Sequence, residues 1–472
     1  MKKSFTVILA ALLCLFATGC TRPYAFSTPA PAFTAAPTPA STAFETRYRE
    51  SRLITSGCVM DKMAISVILV DFTDVACSTT DAQWSAKFFG QENSLRSFYA
   101  TASNKMMDIV PVSESFGEND GVVRVQLSRK HPNALEMEKD GFTQRLVNEI
   151  LRRADGYIDF SGCDQNGDNI LWPTEFTPAI VLAGYEQDFE QYESDPSVGA
   201  HMHFTNEDDY ALYLDNSSIE AYIMLGELVY DYVSRENRLN TVEIIAHETG
   251  HALGLPDLYD LDESSLGVGI HSTMGGCIYQ DRSGRMNENP VDLDAWSKLF
   301  LGFAKPQVIT RTGEYILFDG FTGTGNILLI PTRNPDEYFL LENRQFTGYD
   351  AVLQNYLSRS GVCIWHINNR YISPDVYDVD GFVNISAVNG DEDHKGVDIE
   401  EANEAVLGYA QLDEHVDEYY ADYDHYFSAA GIRDFNADSH PSTALNSGDP
   451  TGISIRVLSD GPMSRVKIDF KQ

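Results

Sequence analysis

The first long apolar run that can form a mature structural element is Ala64-Ile-Ser-Val-Ile-Leu-Val70. Continuous and β-branched, it predicts a buried strand rather than a half-exposed one. Residues 94–102 read as a short helix, and 106–112 and 122–127 as strands. Phe142 to Leu151 carries apolar positions at helical spacing and stops by Gly156. Pro178 to Ala183 predicts a second buried strand, and Ile219 to Leu225 an edge strand. The period then turns helical: Asn240 with Glu243 forms a capping box, Val242, Ile244, Ile245 and Ala246 carry the helix, and Gly254 ends it in a left-handed turn before Pro256. Pro290 to Leu301 predicts another helix, ended by Gly302.

From Gly313 onward the pattern is strand-like, at 326–331, 337–342, 361–367 and 452–470. Strands and helices alternate ahead of the 241–252 helix, and strands dominate after it. The expected fold class is α+β, a mixed sheet with helices packed on it, followed by a β-rich C-terminal part. There is no internal repeat.

That central helix carries the chemistry. His247 and His251 stand four residues apart, which on a helix stacks both imidazoles on one face, within reach of one metal ion. Glu248 lies about 100° round the same turn, placed to act on a water at that metal. The turn after Gly254 can swing Asp257 back as a third ligand, with Asp260 as a competitor. Two histidines and a carboxylate, with one position left for water, are what a catalytic zinc requires. Ser272-Thr-Met274-Gly-Gly predicts a tight turn.

A second candidate is Asp164-Gln-Asn166-Gly-Asp168-Asn-Ile170-Leu-Trp-Pro-Thr-Glu175. Asp164, Asn166, Asp168 and Glu175 fall at positions one, three, five and twelve of a calcium loop, with the Ile170 carbonyl at seven. Asn169 stands where glycine is usual, and asparagine enters the left-handed conformation. A plain polar turn is the alternative. His271, His366 and His394 read as structural, and the Asp-, Glu- and Tyr-rich stretch 413–426 as a solvated face.

Composition narrows the setting. The net charge of −36 argues against nucleic acid as a partner and against adhesion to anionic lipid. Lys2 and Lys3 precede an apolar run from Phe5 to Phe16, too short to span a bilayer, ending in Ala17-Thr-Gly-Cys20. This resembles the lipobox of bacterial lipoproteins, in which the cysteine (here Cys20) is lipidated; an ordinary cleaved signal is the alternative. Either way the protein is extracytoplasmic, at the cell surface through a lipid anchor in the membrane or secreted. Residues 21–57 form a Pro/Ala/Thr-rich tether. The expected division is 1–20 signal, 21–57 tether, 58–304 catalytic domain, and 305–472 β-rich part, separate or integral. Once Cys14 is removed and Cys20 modified, Cys58, Cys77, Cys163, Cys277 and Cys363 remain, without metal-ligand spacing.

These residues resemble the immune inhibitor A family of secreted bacterial zinc metallopeptidases. Besides the 241–257 stretch, the resemblance rests on Leu69-Val-Asp71-Phe-Thr-Asp74, Ser94-Leu-Arg-Ser-Phe-Tyr99, Ile158-Asp-Phe160 with the acidic loop, and Trp296-Ser-Lys298. It continues through Glu337-Tyr-Phe-Leu-Leu-Glu-Asn-Arg344, Gly361-Val-Cys-Ile-Trp-His366 and His394-Lys-Gly-Val-Asp-Ile-Glu-Glu-Ala402. The resemblance implies a zincin- or metzincin-like catalytic domain acting on protein or peptide substrates. It implies His247, His251 and Asp257 as zinc ligands, Glu248 as general base, and Met274 as the methionine of a turn beneath the zinc. The short span between Cys20 and the first strand leaves no room for the family's long inhibitory propeptide. The competing expectations are a surface-displayed binding module that keeps its metals for structure, and a hydrolase of something other than peptide.

Overall fold

The computed structural model describes residues 61–471 except 133, 138, 140, 206–211, 262–263, 277–285, 321–325, 373–387, 408–409 and 414–423. The signal and tether segments, Cys20, Cys58 and Cys277 lie outside the described residues.

The first half is built on strands β1 (Lys62–Asp71), β2 (Asp108–Pro111), β3 (Val122–Gln126), β4 (Ile170–Leu171), β5 (Phe176–Glu186) and β6 (Ser197–Val198). It continues with β7 (His201–Phe204), β8 (Leu212–Leu214), β9 (Ser217–Ile219), β10 (Ala221–Asp231) and β11 (Glu236–Leu239). Its helices are α1 (Asp81–Phe89), α2 (Leu95–Ala102), α3 (Ala134–Met137), α4 (Phe142–Ala154), α5 (Val242–Ala252) and α6 (Ala295–Phe300). The central strand β1 pairs in parallel with β2, β3 and β5, and β5 in parallel with β10. The antiparallel strands β7 and β11 border β10. The run 219–225, expected at an edge, is therefore interior in its β10 part. Its residues are buried on both faces, and β7 and β11 take the edge instead.

Alternate side chains of β1 feed two cores, as strand geometry requires. Ile65, Val67 and Leu69 face α1, α2 and α5; Ile68 and Val70 face the apolar stripe of α4. Capping boxes at Thr80 and Ser94 start α1 and α2. Helix α6 is shorter than the expected 290–301. Asp294 caps it by accepting from the Ser297 amide at 2.8 Å, and Gly302 ends it at φ +73°. The preceding residues stay non-helical, with the Asp292 amide bound to Asp350.

The second half adds β12 (Gln307–Val308), β13 (Gly313–Phe318), β14 (Ile327–Pro331), β15 (Glu337–Arg344) and β16 (Gly361–Asn368). It ends with β17 (Val397–Ile399), β18 (Asp434–Phe435), β19 (Ile453–Ser459) and β20 (Met463–Phe470). A five-stranded sheet, β12-β14-β15-β16-β17, forms a middle layer. Leu328, Ile330, Phe339 and Leu341 face the four-stranded sheet β13-β20-β19-β18, while Ile327, Leu329, Leu340 and Trp365 join the core beneath α5. The chain is mixed α/β, with several sheets and few helices. The expected boundary at 304/305 falls inside one continuous core.

Candidate metal centre

Helix α5 begins at Thr241, whose side chain caps the Ile244 amide. Asn240 was the expected cap, but it is buried one residue earlier. Its amide donates to Glu186 at 2.8 Å and to the Gly226 carbonyl at 3.0 Å, tying the helix start to β5 and β10. The other end follows expectation. Gly254 sits at φ +95°, its amide bonded to the His251 carbonyl and the Leu255 amide to the Gly250 carbonyl, a Schellman stop.

That stop returns the chain so that Asp257 meets both rings. Asp257 Oδ1 lies 3.2 Å from His247 Nε2 and 3.1 Å from His251 Nε2, and the two Nε2 atoms are 3.2 Å apart. Each ring's far nitrogen is already engaged: His247 Nδ1 with the Thr273 carbonyl at 2.8 Å, His251 Nδ1 with the Leu255 carbonyl at 2.9 Å. A carbonyl only accepts, so Nδ1 carries the proton and Nε2 presents a lone pair. Three acceptors thus converge within van der Waals distance, and Asp257 Oδ1 is buried without a hydrogen bond. Such a group could hold a metal ion; without one, a second proton on His251 can bridge the ring to Asp257. Burial disfavours a charged His251, yet Asp257 overrides it and lifts the ring's pKa to about 9, while the histidines hold Asp257 well below the usual carboxylate range. Asp260 is not part of the trio; its Oδ2 accepts from Ser264 Oγ and the Ser265 amide, both at 2.8 Å.

Glu248 is 5% exposed, between the two histidines in sequence. Burial raises its pKa, the two histidines oppose that rise, and the Met202 amide of β7 hydrogen-bonds the carboxylate. A carboxylate raised from its ordinary value suits a general base near neutral pH. Beneath the helix, a Cβ on Gly250 would sit 2.4 Å from Met274 Sδ and 3.4 Å from the Tyr99 hydroxyl, which itself donates to the Ala246 carbonyl at 2.7 Å. Met274 is fully buried under α5. Tyr259 stacks on His247, with ring centroids 6.0 Å apart and planes at 22°.

The acidic loop brings three of its five expected ligands together. Single carboxylate oxygens of Asp164, Asp168 and Glu175 lie within 4.8 Å of one another. Glu175 is 2% exposed and its Oε1 has no hydrogen bond; burial, then Asp168 and Asp164, raise its pKa. Asn169 is left-handed at φ +61°, as expected. Asn166 Oδ1 accepts from the Asp168 amide at 2.8 Å, and the Ile170 carbonyl from the Trp172 amide at 3.2 Å.

The carbonyls of Thr273 and Leu255 and the Met202 amide went unseen in the sequence, because any residue supplies them. Gly250, a glycine inside a helix between two ligands, was a readable signal of close packing. Of the stretch 413–426, residues 414–423 lie outside the described residues; at its end His425 and Tyr426 are fully buried against His271, not solvated. Among the described residues, Cys77, Cys163 and Cys363 are free thiols.

No protein-family model matches the chain, and no curated protein matches it. Among solved structures, two crystal forms of wild-type OgpA from Akkermansia muciniphila align with 63% and 66% of this chain and 73% and 92% of theirs. Sequence identity is 11% and 13%, and the TM-score is 0.28 for both. At that level the likeness carries no argument.

Proposed function

We propose that the protein is an extracytoplasmic zinc-dependent endopeptidase with a zincin-like catalytic domain, similar to the immune inhibitor A family. The observation that carries this reading is the convergence of His247 Nε2, His251 Nε2 and Asp257 Oδ1, each ring locked in the ligand tautomer. Two imidazoles and one carboxylate form a donor set suited to zinc. Bound there, zinc supplies a Lewis acid that makes water more acidic and steadies charge on a carbonyl oxygen.

The remaining steps belong to the chain. Glu248 takes the proton from the attacking water and passes it to the departing amine. The Met202 amide holds the carboxylate in place, and burial keeps it basic enough to accept. A zinc site kept for structure alone needs no base and tends to close its fourth position. Glu248 therefore favours a hydrolase over a binding module. The acidic loop is a second, calcium site in this reading. The Ala17-Thr-Gly-Cys20 sequence supports a cell-surface lipoprotein. No helix among the described residues is long and apolar enough to cross a membrane.

Digestion of a denatured protein mixture with purified protein, with and without a zinc chelator, tests the proposal. Chelator-sensitive new peptide termini are expected. A zinc-loaded protein that releases no peptides would overturn the peptidase reading and leave the binding module or a hydrolase of something other than peptide.

A further inference from the structure

The turn 271–274 is gripped from the C-terminal half at a point that bears on the metal. Arg344, 2% exposed at the end of β15, donates from Nη1 to the His271 carbonyl and from Nε to Asp350 Oδ2 at 2.9 Å. Nη2 completes the fork on Asp350 and reaches the Asp292 carbonyl at 3.5 Å. The His271 ring is held separately, with Nδ1 2.8 Å from the Tyr426 hydroxyl and Nε2 2.8 Å from His425 Nδ1. Gln411 Oε1 only accepts, so His425 Nε2, 3.1 Å away, donates to it. That polarity fixes the rest. His425 Nδ1 accepts from His271 Nε2, and His271 Nδ1 accepts from Tyr426. Both rings stay neutral, because burial lowers their pKa, that of His425 to about 3. Two residues on, the Thr273 carbonyl sets the His247 tautomer.

Stability does not account for this arrangement. A buried ion pair costs about as much in desolvation as its attraction returns, and apolar replacements are often neutral or better. A guanidinium does supply geometry, since it can clamp a carboxylate with two donors and aim a third at a carbonyl, which an ammonium cannot. We propose that Arg344 is a positioning residue for the metal ligand His247, acting through the His271 carbonyl, with Tyr426 and His425 as a second strut of the same device. The metal centre is then assembled by both halves of the chain. This rests on the metal-centre reading above.

The test compares wild type, Arg344→Lys and Tyr426→Phe, each stripped of metal and reloaded with zinc or cobalt. Zinc affinity is measured by chelator competition, ligand geometry by the visible bands of the cobalt forms, and folding by circular dichroism and thermal melting. For Arg344→Lys, zinc affinity falls by about tenfold or more, as for other groups that orient a ligand. The cobalt bands shift, and kcat falls while KM stays within about twofold. Tyr426→Phe changes the same readouts in the same direction, by less, and decides the matter alone if Arg344→Lys does not fold. Unchanged zinc affinity and cobalt bands in folded variants overturn the proposal, even if their melting points drop. A wild-type protein that takes up neither ion overturns the metal-centre reading itself, a distinct result.

Discussion

Two of the buried clusters that combine imidazole with carboxylate solve opposite problems. At α5, both histidines spend Nδ1 on carbonyls, so their Nε2 atoms and Asp257 Oδ1 face one another with a place for a metal ion between them. At β16, His366 has a carboxylate on each side: Nδ1 is 3.1 Å from Glu400 Oε1, and Nε2 is at ion-pair distance, 3.6 Å, from Glu337 Oε2. There a proton on each nitrogen pairs with a carboxylate, through a hydrogen bond at Nδ1 and through charge alone at Nε2. Burial alone would keep His366 neutral, but the two glutamates lift its pKa to about 9. The groups present do not separate a metal ligand from a structural ion pair. What its second nitrogen touches does.

The largest effect expected from this contrast is catalytic. Glu248→Gln should keep zinc bound and lower kcat/KM by about 10³-fold or more, because the proton acceptor is lost and the ligand trio is not. Metal analysis with peptide kinetics checks it; near wild-type turnover would end the Glu248 assignment. Asp257→Asn comes next. It removes the only anion of the trio, and zinc affinity should fall by about 100-fold in chelator competition. His366→Gln should leave zinc affinity unchanged in the same assay. If it does not, the two clusters are not separate in function.

Much of this was legible in the sequence, for local reasons. The i, i+4 histidines, the Gly254 stop and the buried β1 and β5 runs depend on neighbours within a turn or a strand. What stayed hidden was set by distant partners. Asn240 looked like a cap until β5 placed Glu186 beside it. Ile219 to Leu225 looked like an edge until β7 and β11 returned to cover it. His425 and Tyr426 sat in an acidic stretch that read as solvated, yet both fold onto His271. The sharing of one core between the two halves comes from a sheet whose two faces carry different apolar sets, and strand patterns alone do not say what covers each face.

The His366 cluster also predicts a pH signature, one that zinc, by displacing the proton on His251, would remove from the metal centre. Its folded pKa of about 9 lies above the ordinary 6.5, so the stability it contributes is complete below pH 6.5 and lost as pH rises through 9. The shift corresponds to about 3 kcal/mol, an order-of-magnitude figure. With zinc saturating, the stability difference between wild type and His366→Gln should shrink by that order between pH 6.5 and 10. A constant difference across that range would mean that His366 is not held charged.

The smallest effect concerns the acidic loop, which lies between the two extremes. Like the metal centre it gathers carboxylate oxygens around one point, but Asp164 already takes the Gly167 and Asn169 amides at 2.7 and 2.9 Å, and Asp168 Oδ1 takes the Ile170 amide at 2.8 Å. Only Glu175 Oε1 is unspoken for and buried. A loop that holds its shape through its own amides, with one deep carboxylate, fits a weak, millimolar calcium site better than a tight one. At about ten times such a Kd, calcium would add about 1.4 kcal/mol, raising the melting temperature by about 1 to 2 °C in a chain of this size. Glu175→Gln should abolish that rise and leave peptide hydrolysis intact, because the loop shares no ligand with α5. No rise in the wild type at 10 millimolar calcium (about tenfold over the expected Kd) would reduce the loop to a polar turn.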